Sequence, residues 1–361
     1  MRVLFCGGGT AGHVNPAIAV AETVMQSSKD NKVAYVTTLN GIENRLVNFK
    51  KYTIDVIGLK RSLSPKNFVF LYKQLKAIEK CKDIIREFRP DIIFGTGGYA
   101  TYPVIVAGNK LGVKTVLHES NVIPGKAILS LEKRADKIFV NFEETKEYIK
   151  HKEKVLRTGN PLRRGFESCT KGQARQQLGI KQKYVVLCMG GSLGAEKINQ
   201  ATIEMIENLI RQRKDILLIW STGKNEYANV NAELKEKRLI SLENLICSDY
   251  FENIYLQMAA ADVVISRAGA MTISELAYMK KASIIIPSPN VTNNHQYFNA
   301  RTLHDTLSAV LITEDVLYSL SDTVRELIMS SDKRKDLEEN ISDFSVKNAN
   351  SVILQEMEKM L

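Results

Sequence analysis

Residues 262–275 read Asp-Val-Val-Ile-Ser-Arg-Ala-Gly-Ala-Met-Thr-Ile-Ser-Glu, a short β-branched run followed by a glycine turn. The run at 263–265 is typical of a buried strand, because β-branched side chains pack well in sheets. Gly269 lets the backbone turn sharply, and the residues after it predict a helix that begins at about Ala270. The pattern therefore predicts a βα unit of an α/β protein.

The start of this helix has the properties of an anion-binding site. Thr272 or Ser274 is expected to cap it, and the unpaired N–H groups of its first turn carry partial positive charge that suits a phosphate. Glu275 falls about one turn into the helix, where its carboxylate could accept hydrogen bonds from the vicinal hydroxyls of a ribose. The stretch indicates a nucleotide site, although an ordinary βα unit with an exposed surface glutamate would have the same pattern.

The composition predicts a globular protein with two domains. The chain has 361 residues, 44% of them hydrophobic and 25% charged, which is enough for two cores of ordinary size. No apolar run approaches the roughly 18 residues of a membrane span, and a strand is predicted where a signal peptide would begin, so we expect a cytoplasmic protein. Five scattered cysteines without a Cys-x-x-Cys pair favour neither a disulfide framework nor a zinc site.

The net charge of +10 is unevenly distributed. Residues 1–160 contain 26 lysines and arginines against 15 acidic residues, whereas residues 161–361 contain 24 against 25. A basic first half suggests an anionic partner, such as nucleic acid, acidic lipid or a phosphorylated substrate. No zinc-finger, RNP or basic-zipper pattern accompanies the charge, so we expect no nucleic-acid partner and favour a membrane surface.

The chain begins with a strand, a glycine loop and a helix. The strand at 2–6 leads into residues 7–12, which satisfy G-x-G-x-x-G, and a helix is predicted at 16–25. A dinucleotide-binding oxidoreductase also needs an acidic residue after the second strand, but the strand at 32–38 ends in threonines. The loop is therefore interpreted as one that approaches a phosphate or a sugar.

His13 ends this loop beside the carboxyl end of the first strand, where open α/β sheets bind ligands. A neutral imidazole there could accept a proton from a hydroxyl nucleophile near pH 7. A histidine that only makes local hydrogen bonds at the helix start is the alternative interpretation.

Further strands end in polar or glycine-rich loops at 95–99 and 118–121, and all would lie at one edge of a parallel sheet. Gly159-Asn-Pro161 marks a domain boundary, after which the strand, glycine loop and helix pattern restarts at 184–210. We expect domains at 1–160 and 161–340, with a helix at 341–361 that returns to the first domain. The predicted fold class is α/β, with two Rossmann-like domains whose parallel sheets face each other across a cleft.

A segment with alternating aromatic and basic residues follows Gly58. It could lie on an anionic bilayer with its apolar side chains in the interface, each cation adding about 1 kcal/mol. Phenylalanines in the core with lysines in water are an equally compatible interpretation. The membrane patch predicted here consists of Lys66, Phe68, Phe70, Leu71 and Lys73.

Seven motifs, in order and spacing, resemble the MurG family of bacterial peptidoglycan glycosyltransferases, which have the GT-B fold. They cover the whole chain: Gly7-Gly-Gly-Thr-Ala-Gly-His13, Gly95-Thr-Gly-Gly-Tyr99, His118-Glu-Ser-Asn121, Gly159-Asn-Pro-Leu-Arg163, Gly190-Gly-Ser-Leu-Gly-Ala195, Ser266-Arg-Ala-Gly-Ala-Met-Thr-Ile-Ser-Glu275 and His295-Gln296. The resemblance implies inverting transfer of N-acetylglucosamine from UDP-GlcNAc to the muramyl 4-hydroxyl of lipid I, forming lipid II. It also implies a peripheral location at the cytoplasmic face of the membrane, possible cell-wall synthesis partners and no tightly bound cofactor or metal.

The resemblance also assigns roles to residues. His13 is the first choice for the catalytic base and Glu119 the second. The acceptor diphosphate is expected at Gly9, Gly97, Gly98 and Tyr99. The donor-binding residues are expected to be Thr10, Ala11, Gly12, Asn121, Arg163, Ser192, Phe251, Ala270, Met271, Thr272, Ile273, Ser274, Glu275 and Gln296.

Two alternatives stay open at this point. Another lipid-directed GT-B glycosyltransferase would share the architecture, and a non-catalytic UDP-sugar-binding subunit would share the donor motif. Addition of an acceptor analogue distinguishes an enzyme from a binding subunit, because only an enzyme releases UDP.

Overall fold

The computed structural model describes residues 1–56, 66–163, 165–166, 169–191 and 194–361, without the side chains of residues 66–71 and of Thr292. The chain divides into two units. The first contains Met1–Arg163 and Val346–Leu361, and the second contains Arg164–Ser345. The sequence placed these boundaries near residues 160 and 340.

The first unit is built on a parallel sheet of seven strands in the order β3-β2-β1-β4-β5-β6-β7. Central strands such as β1 are buried on both faces, which explains their continuous apolar sequences. The strands are β1 (Arg2–Cys6), β2 (Lys32–Thr38), β3 (Lys51–Ile54), β4 (Ile92–Gly95), β5 (Lys114–Glu119), β6 (Lys137–Val140) and β7 (Val155–Arg157).

Helices pack apolar side chains against this sheet. One cluster includes Val14, Val20 and Phe94, and another joins Leu4 and Ile93 to the helices that follow β3 and β4. The helices are α1 (Ala11–Ser27), α2 (Glu43–Leu46), α3 (Lys66–Phe88), α4 (Thr101–Lys110) and α5 (Lys126–Leu131).

The second unit repeats the plan with six parallel strands in the order β10-β9-β8-β11-β12-β13. Its strands are β8 (Tyr184–Met189), β9 (Ile216–Ser221), β10 (Leu245–Ser248), β11 (Val263–Ser266), β12 (Ser283–Ile285) and β13 (Val310–Leu311). Its helices are α6 (Lys171–Gln177), α7 (Glu196–Met205), α8 (Tyr227–Glu236), α9 (Ile254–Ala260), α10 (Ala270–Tyr278), α11 (His295–Asp305), α12 (Leu320–Met329) and α13 (Ser331–Ile341). The predicted fold class, an α/β protein with two Rossmann-like parallel sheets, is confirmed.

The last helix, α14 (Ala349–Glu358), belongs to the first unit. Ile353 and Met357 are fully buried in the same cluster as Val14 of α1. Lys137 forms an ion pair with Glu356 at 2.6 Å, which ties the helix to β6. The predicted return of the C-terminal helix to the first domain is therefore confirmed.

Some local predictions were wrong. Helix α1 begins at Ala11 and includes Pro16, although the sequence pattern placed its start at the proline. Pro16 is the sixth residue of α1 and has no N–H to donate to Gly12, so the helix lacks one backbone hydrogen bond near its start. His118 and Glu119 were expected in a loop, but they are the last two residues of β5.

Two strands, β3 and β13, were not predicted. Lys51–Ile54 is short and half polar, and β13 contains only two residues. Both lie at sheet edges, where pairing with the neighbouring strand rather than local sequence determines the structure.

Among the residues described, no helix is both long enough and apolar enough to cross a membrane.

Candidate active site

Each sheet has a point at which the strand order reverses. In the first unit this point lies between β1 and β4, and in the second between β8 and β11. Open α/β sheets bind ligands at the carboxyl ends of the strands that flank such a point. Glycine loops flank each reversal point, so each unit has a candidate ligand-binding site there.

The two glycine loops of the first unit are packed into each other. The N–H of Gly8 donates to the carbonyl of Gly97 at 3.3 Å. Gly98 has φ +76°, and a Cβ there would lie 2.1 Å from the carbonyl oxygen of Gly8. Gly9 has φ +90° and faces the ring of Tyr99. The predicted acceptor-diphosphate residues are thus brought together, and only glycine fits at position 98.

His13 lies in the first turn of α1, in contact with the second glycine loop. A Cβ at Gly97 would come within 3.2 Å of its ring atoms Nδ1 and Cε1. Its own carbonyl accepts a hydrogen bond from Thr96 at 2.5 Å. The half-buried imidazole therefore lies at the carboxyl edge of β1 and β4, beside the two glycine loops.

Two helices begin at this edge. Helix α1 starts after Thr10, so the predicted donor residues Thr10, Ala11 and Gly12 lie at its N-terminus. Helix α4 starts at Thr101, two residues after Tyr99. Their first N–H groups carry partial positive charge at the glycine loops. The edge is suited to a phosphate without requiring a lysine or arginine side chain.

Glu119 organises the loop after β5. Its Oε1 accepts hydrogen bonds from the backbone N–H of Asn121 at 2.9 Å and from the Asn121 amide at 3.1 Å. Its Oε2 accepts from the backbone N–H of Gly125 at 2.8 Å. Because the carboxylate is buried and engages its own loop, this geometry favours a role in positioning Asn121.

His118 is fully buried beneath the same loop. Its Nε2 lies 3.1 Å from the carbonyl of Gly159, which assigns the tautomer with a proton on Nε2 and none on Nδ1. Burial lowers the pKa of His118 to about 4, and the hydrogen bond to Gly159 offsets only part of this effect. The imidazole is therefore neutral at pH 7 and links β5 to the end of the first domain.

In the second unit, β8 leads into a tight glycine loop. Gly191 and Gly194 have φ +95° and +96°, and a Cβ on Gly194 would lie 2.5 Å from the carbonyl oxygen of Thr222. The loop ends at Ala195, where α7 begins. Ser192, predicted to bind the donor diphosphate, lies outside the described residues.

Helix α10 begins at Ala270, as the sequence indicated. Ser274 does not cap it, because its hydroxyl donates back to the carbonyl of Ala270 at 3.1 Å. Glu275 is only 8% exposed, so the alternative of a surface glutamate was wrong. A buried carboxylate one turn from a helix start suits a polyol ligand whose phosphates lie at the helix N-terminus. The remaining predicted donor residues of this helix, Met271, Thr272 and Ile273, lie within its first four positions.

Two further predicted donor residues lie near strand ends of the second unit. Phe251 is half-buried and lies between β10 and α9. The Gln296 Oε1 accepts from the backbone N–H of Ser288 at 2.9 Å, which fixes the amide near the end of β12. This orientation makes the Gln296 amide nitrogen the group that could donate to a sugar hydroxyl.

Arg163, a predicted donor residue, is half-buried and lies where the chain leaves the first unit.

The predicted membrane patch is described only in part, because the side chains of Lys66, Phe68, Phe70 and Leu71 lie outside the described residues. The Lys73 ammonium lies 2.8 Å from both carboxylate oxygens of Asp55. Nearby, Tyr72 and Leu75 are 58% and 59% exposed.

Glu43 is a buried residue near the first glycine loop that no sequence motif indicated. Its side chain is fully buried, and Oε1 accepts from the N–H and the hydroxyl of Thr38 at 2.9 and 2.7 Å. A Cβ at Gly8 would lie about 3 Å from both carboxylate oxygens, so Glu43 supports the first glycine loop from beneath. The hydroxyl of Tyr35 donates to the carbonyl of Gly7 at 2.9 Å from the same side. No spacing rule signals the contacts with Gly7 and Gly8, because they bring the segment at 35–43 to a loop about 30 residues earlier in the chain.

The part of the chain that the structure describes contains no group of three or more His, Cys, Asp or Glu side chains arranged to hold a metal ion.

Two family models match the chain. Residues 3–140 match the glycosyltransferase family 28 N-terminal domain, and residues 185–353 match the glycosyltransferase family 28 C-terminal domain. The first match covers the sheet of the first unit from β1 to β6, and the second covers the sheet of the second unit.

Curated relatives cover most or all of the chain. A protein of Thermoanaerobacter sp. (strain X514) is 39% identical over 318 residues, covering 87% of this chain and 86% of its own. A protein of Desulforamulus reducens is 35% identical and covers 100% of this chain and 99% of its own. Both are named UDP-N-acetylglucosamine--N-acetylmuramyl-(pentapeptide) pyrophosphoryl-undecaprenol N-acetylglucosamine transferase.

Solved structures show the same architecture. The crystal structure of Acinetobacter baumannii MurG is similar with a TM-score of 0.75 at 25% identity and 99% coverage of both chains. The UDP-GlcNAc 2-epimerase from Neisseria meningitidis bound to UDP-GlcNAc has a TM-score of 0.69 at 14% identity, covering 99% of this chain and 100% of its own. The second likeness concerns the fold alone.

Proposed function

The chain belongs to glycosyltransferase family 28, and from this premise we propose that it transfers N-acetylglucosamine from UDP-GlcNAc to lipid I, forming lipid II. The acceptor group is the 4-hydroxyl of the muramyl sugar in undecaprenyl-diphosphate-MurNAc-pentapeptide. The observation that carries the proposal is the β11–α10 unit, in which a helix N-terminus and the buried Glu275 lie together at a strand-order reversal. Such a site can bind the diphosphate of a uridine diphosphate sugar at the helix N-terminus and its ribose at the carboxylate.

The donor bond breaks as the diphosphate leaves with growing negative charge. The helix N-termini of α7 and α10 supply fixed N–H dipoles to this charge, and Ser192 and Arg163 are proposed to add a hydroxyl and a guanidinium. Donors that are already oriented lower the barrier because they need no reorganisation during the reaction. Glu275 binds the ribose hydroxyls, Phe251 lies at the uracil and Gln296 donates to the sugar.

The acceptor hydroxyl must lose a proton as it attacks the anomeric carbon from the face opposite the diphosphate, which inverts that centre. His13 is the proposed base, since its imidazole is held at the acceptor loops rather than in the core. Glu119 is proposed to position Asn121 by the two hydrogen bonds that it accepts from that residue, while Gly125 donates to its other carboxylate oxygen. General-base catalysis contributes about 10²- to 10⁴-fold.

The acceptor diphosphate is proposed to lie on Gly9, Gly97, Gly98 and Tyr99. Support comes from the interlocked glycine loops and from the starts of α1 and α4 at the same edge. Backbone N–H groups can approach a phosphate closely only where side chains are absent.

We also propose that no tightly bound cofactor or metal is needed, because helix dipoles neutralise the leaving group and the sequence has no Asp-x-Asp motif. A peripheral position at the cytoplasmic face of the membrane is proposed from the basic first domain and the patch at the start of α3. Partners among cell-wall synthesis proteins are consistent with this position.

The test is turnover of labelled UDP-GlcNAc by the purified full chain with a soluble lipid I analogue. We expect UDP release only when the acceptor is present, with UDP-GalNAc and UDP-glucose as weak competitors. Binding of UDP-GlcNAc without turnover would instead favour a sugar-nucleotide-binding subunit. Loss of all activity on EDTA treatment, with recovery in magnesium, would contradict the metal-independent mechanism.

A further inference from the structure

Glu314 lies just beyond β13 at the carboxyl edge of the second sheet, and its side chain is only 11% exposed. Its Oε1 accepts from Nη2 of Arg267 at 2.6 Å, and its Oε2 lies 3.2 Å from Nζ of Lys197. One carboxylate therefore holds two cations that come from parts of the chain 70 residues apart.

The two cations lie just after the two strands that flank the strand-order reversal, one in a turn and one in the first turn of a helix. Arg267 immediately follows β11 and precedes the glycine turn into α10. Lys197 is the second residue of α7, directly after the glycine loop that follows β8. Glu314 thus links the start of α7 to the turn at 267–269.

The linkage extends to the neighbouring strand. Nη1 of Arg267 donates to the carbonyls of Ile286 and Pro287 at 3.3 and 3.2 Å, at the end of β12. A planar guanidinium that engages a carboxylate and two carbonyls has a fixed orientation. The turn after β11 is therefore fixed to the ends of both β12 and β13.

The charge of Glu314 is unusual for its location. A carboxylate near an anion seat repels a diphosphate unless cations neutralise it. Burial would raise the pKa of Glu314, but the hydrogen bonds from Arg267 and Lys197 outweigh burial and hold the pKa below its ordinary value. Glu314 is therefore ionised at neutral pH, and its carboxylate is paired with Arg267 and Lys197.

We propose that Glu314 is a positioning residue that holds the start of α7 and the β11–α10 turn at the spacing required by the donor diphosphate. The inference rests on the proposed function, because it takes these two helix starts as the binding site of the UDP-GlcNAc phosphates. It adds a residue that contacts no substrate and acts only through Arg267 and Lys197. The bridge orients the main-chain N–H groups of both helix starts toward one ligand.

The test compares binding of UDP and of uridine to full-length Glu314→Gln by titration calorimetry. The variant keeps the side-chain shape and removes the charge, so UDP should bind roughly tenfold more weakly, as expected for loss of charge-assisted hydrogen bonds. Uridine has no phosphates and should bind as it does to the wild type. The matched control is Glu207→Gln, which removes a 2.9 Å ion pair with Lys237 elsewhere in the same unit.

A second variant tests the same proposal in case Glu314→Gln does not fold. Lys197 is 61% exposed, so Lys197→Gln should fold normally and weaken UDP binding in the same direction, by a smaller factor. The double variant should bind UDP no more weakly than Glu314→Gln, because both changes break one bridge.

Three results would overturn the proposal. They are unchanged UDP affinity in Glu314→Gln, tighter UDP binding because Arg267 and Lys197 turn to the phosphates, and equal losses for UDP and uridine. A wild-type chain that binds uridine but gains nothing from the diphosphate would contradict the proposed donor seat itself. That outcome is visible before any variant is made.

Discussion

The imidazole of His13 and the carboxylate of Glu119 lie at the same sheet edge but in different surroundings. Glu119 is buried and accepts three hydrogen bonds from its own loop, whereas His13 is half-buried and packs on Gly97. A general base must reach the proton that it removes. The difference in surroundings favours His13 as the base.

For His13→Asn we expect kcat to fall by about 10²- to 10⁴-fold, because the proton acceptor is lost. The dissociation constant of UDP-GlcNAc should change little, since the base acts on the acceptor. Steady-state kinetics with a soluble acceptor and calorimetry with UDP-GlcNAc measure the two quantities. A kcat within a factor of three of the wild type would remove His13 from this role.

Glu275→Ala should weaken donor binding more than it lowers turnover, which is the opposite of the result expected for His13→Asn. Loss of a buried carboxylate that accepts from ribose hydroxyls should weaken UDP-GlcNAc binding by roughly 10- to 100-fold, the range of a charged hydrogen bond. The turnover number at saturating donor should fall less than the affinity does. Equal affinities for UDP-GlcNAc and its 2′-deoxyuridine analogue in the wild type would contradict the ribose assignment.

His118 should make stability depend on pH. Its folded pKa of about 4 lies below the ordinary 6.5, so between these values the unfolded chain binds a proton that the native protein does not. Stability is therefore fully present above pH 6.5 and falls by about 3 kcal/mol as the pH approaches 4. Urea unfolding of His118→Gln across this range should lack that slope, and parallel curves for both proteins would refute the assignment.

Among the secondary-structure elements, buried strands were predicted well from local sequence, whereas the starts of helices were not, because they depend on tertiary contacts. Continuous apolar runs such as β8 and β11 were predicted with correct ends or nearly so, because buried parallel strands have a strong local signal. The start of α1 was misplaced, because Pro16 was interpreted as the first residue of the helix. The cap on α10 was misassigned, since a hydroxyl in a helix can instead bond back to the preceding turn.

Helix α3 carries the proposed membrane contact at its start. Phe68→Asp/Phe70→Asp should reduce pelleting with vesicles rich in anionic lipid several-fold, because charge and lost apolar area both oppose insertion. The control is Tyr318→Asp, which alters a 77% exposed aromatic residue of the second unit. Activity toward a short-chain soluble acceptor should be retained, and pelleting equal to the wild type would show that the patch is not a membrane contact.

At the scale of the whole molecule, the first unit is completed by the end of the chain. Helix α14 contributes Ile353 and Met357 to a core whose other members lie before residue 140. A Cβ at Gly159 would lie 2.6 Å from Cβ of Val346, so the chain passes closely where the first domain ends. Stability of the first unit therefore depends on a segment that is distant along the chain from the rest of its core.

Ile353→Ala should lower the free energy of unfolding of the first unit by about 2–5 kcal/mol, the usual cost of a large-to-small change at a fully buried site. Gln355→Ala, on the exposed face of the same helix, should change it by less than about 0.5 kcal/mol. Urea unfolding followed by circular dichroism measures both. Equal stabilities for the two variants would show that α14 does not support the core.

Local patterns of apolar, glycine and polar residues predicted the two βα repeats and their glycine loops, and the residues assigned to a sugar diphosphate stay a prediction. Only the tertiary structure revealed that Glu43 supports the first loop, that Glu119 is committed to its own loop, and that Glu314 joins Arg267 to Lys197. The contacts of Glu314 and the approach of Glu43 to Gly8 join segments that are distant along the chain, whereas the hydrogen bonds of Glu119 lie within one loop. The order of strands in a sheet, rather than any local pattern, decides which side chains meet.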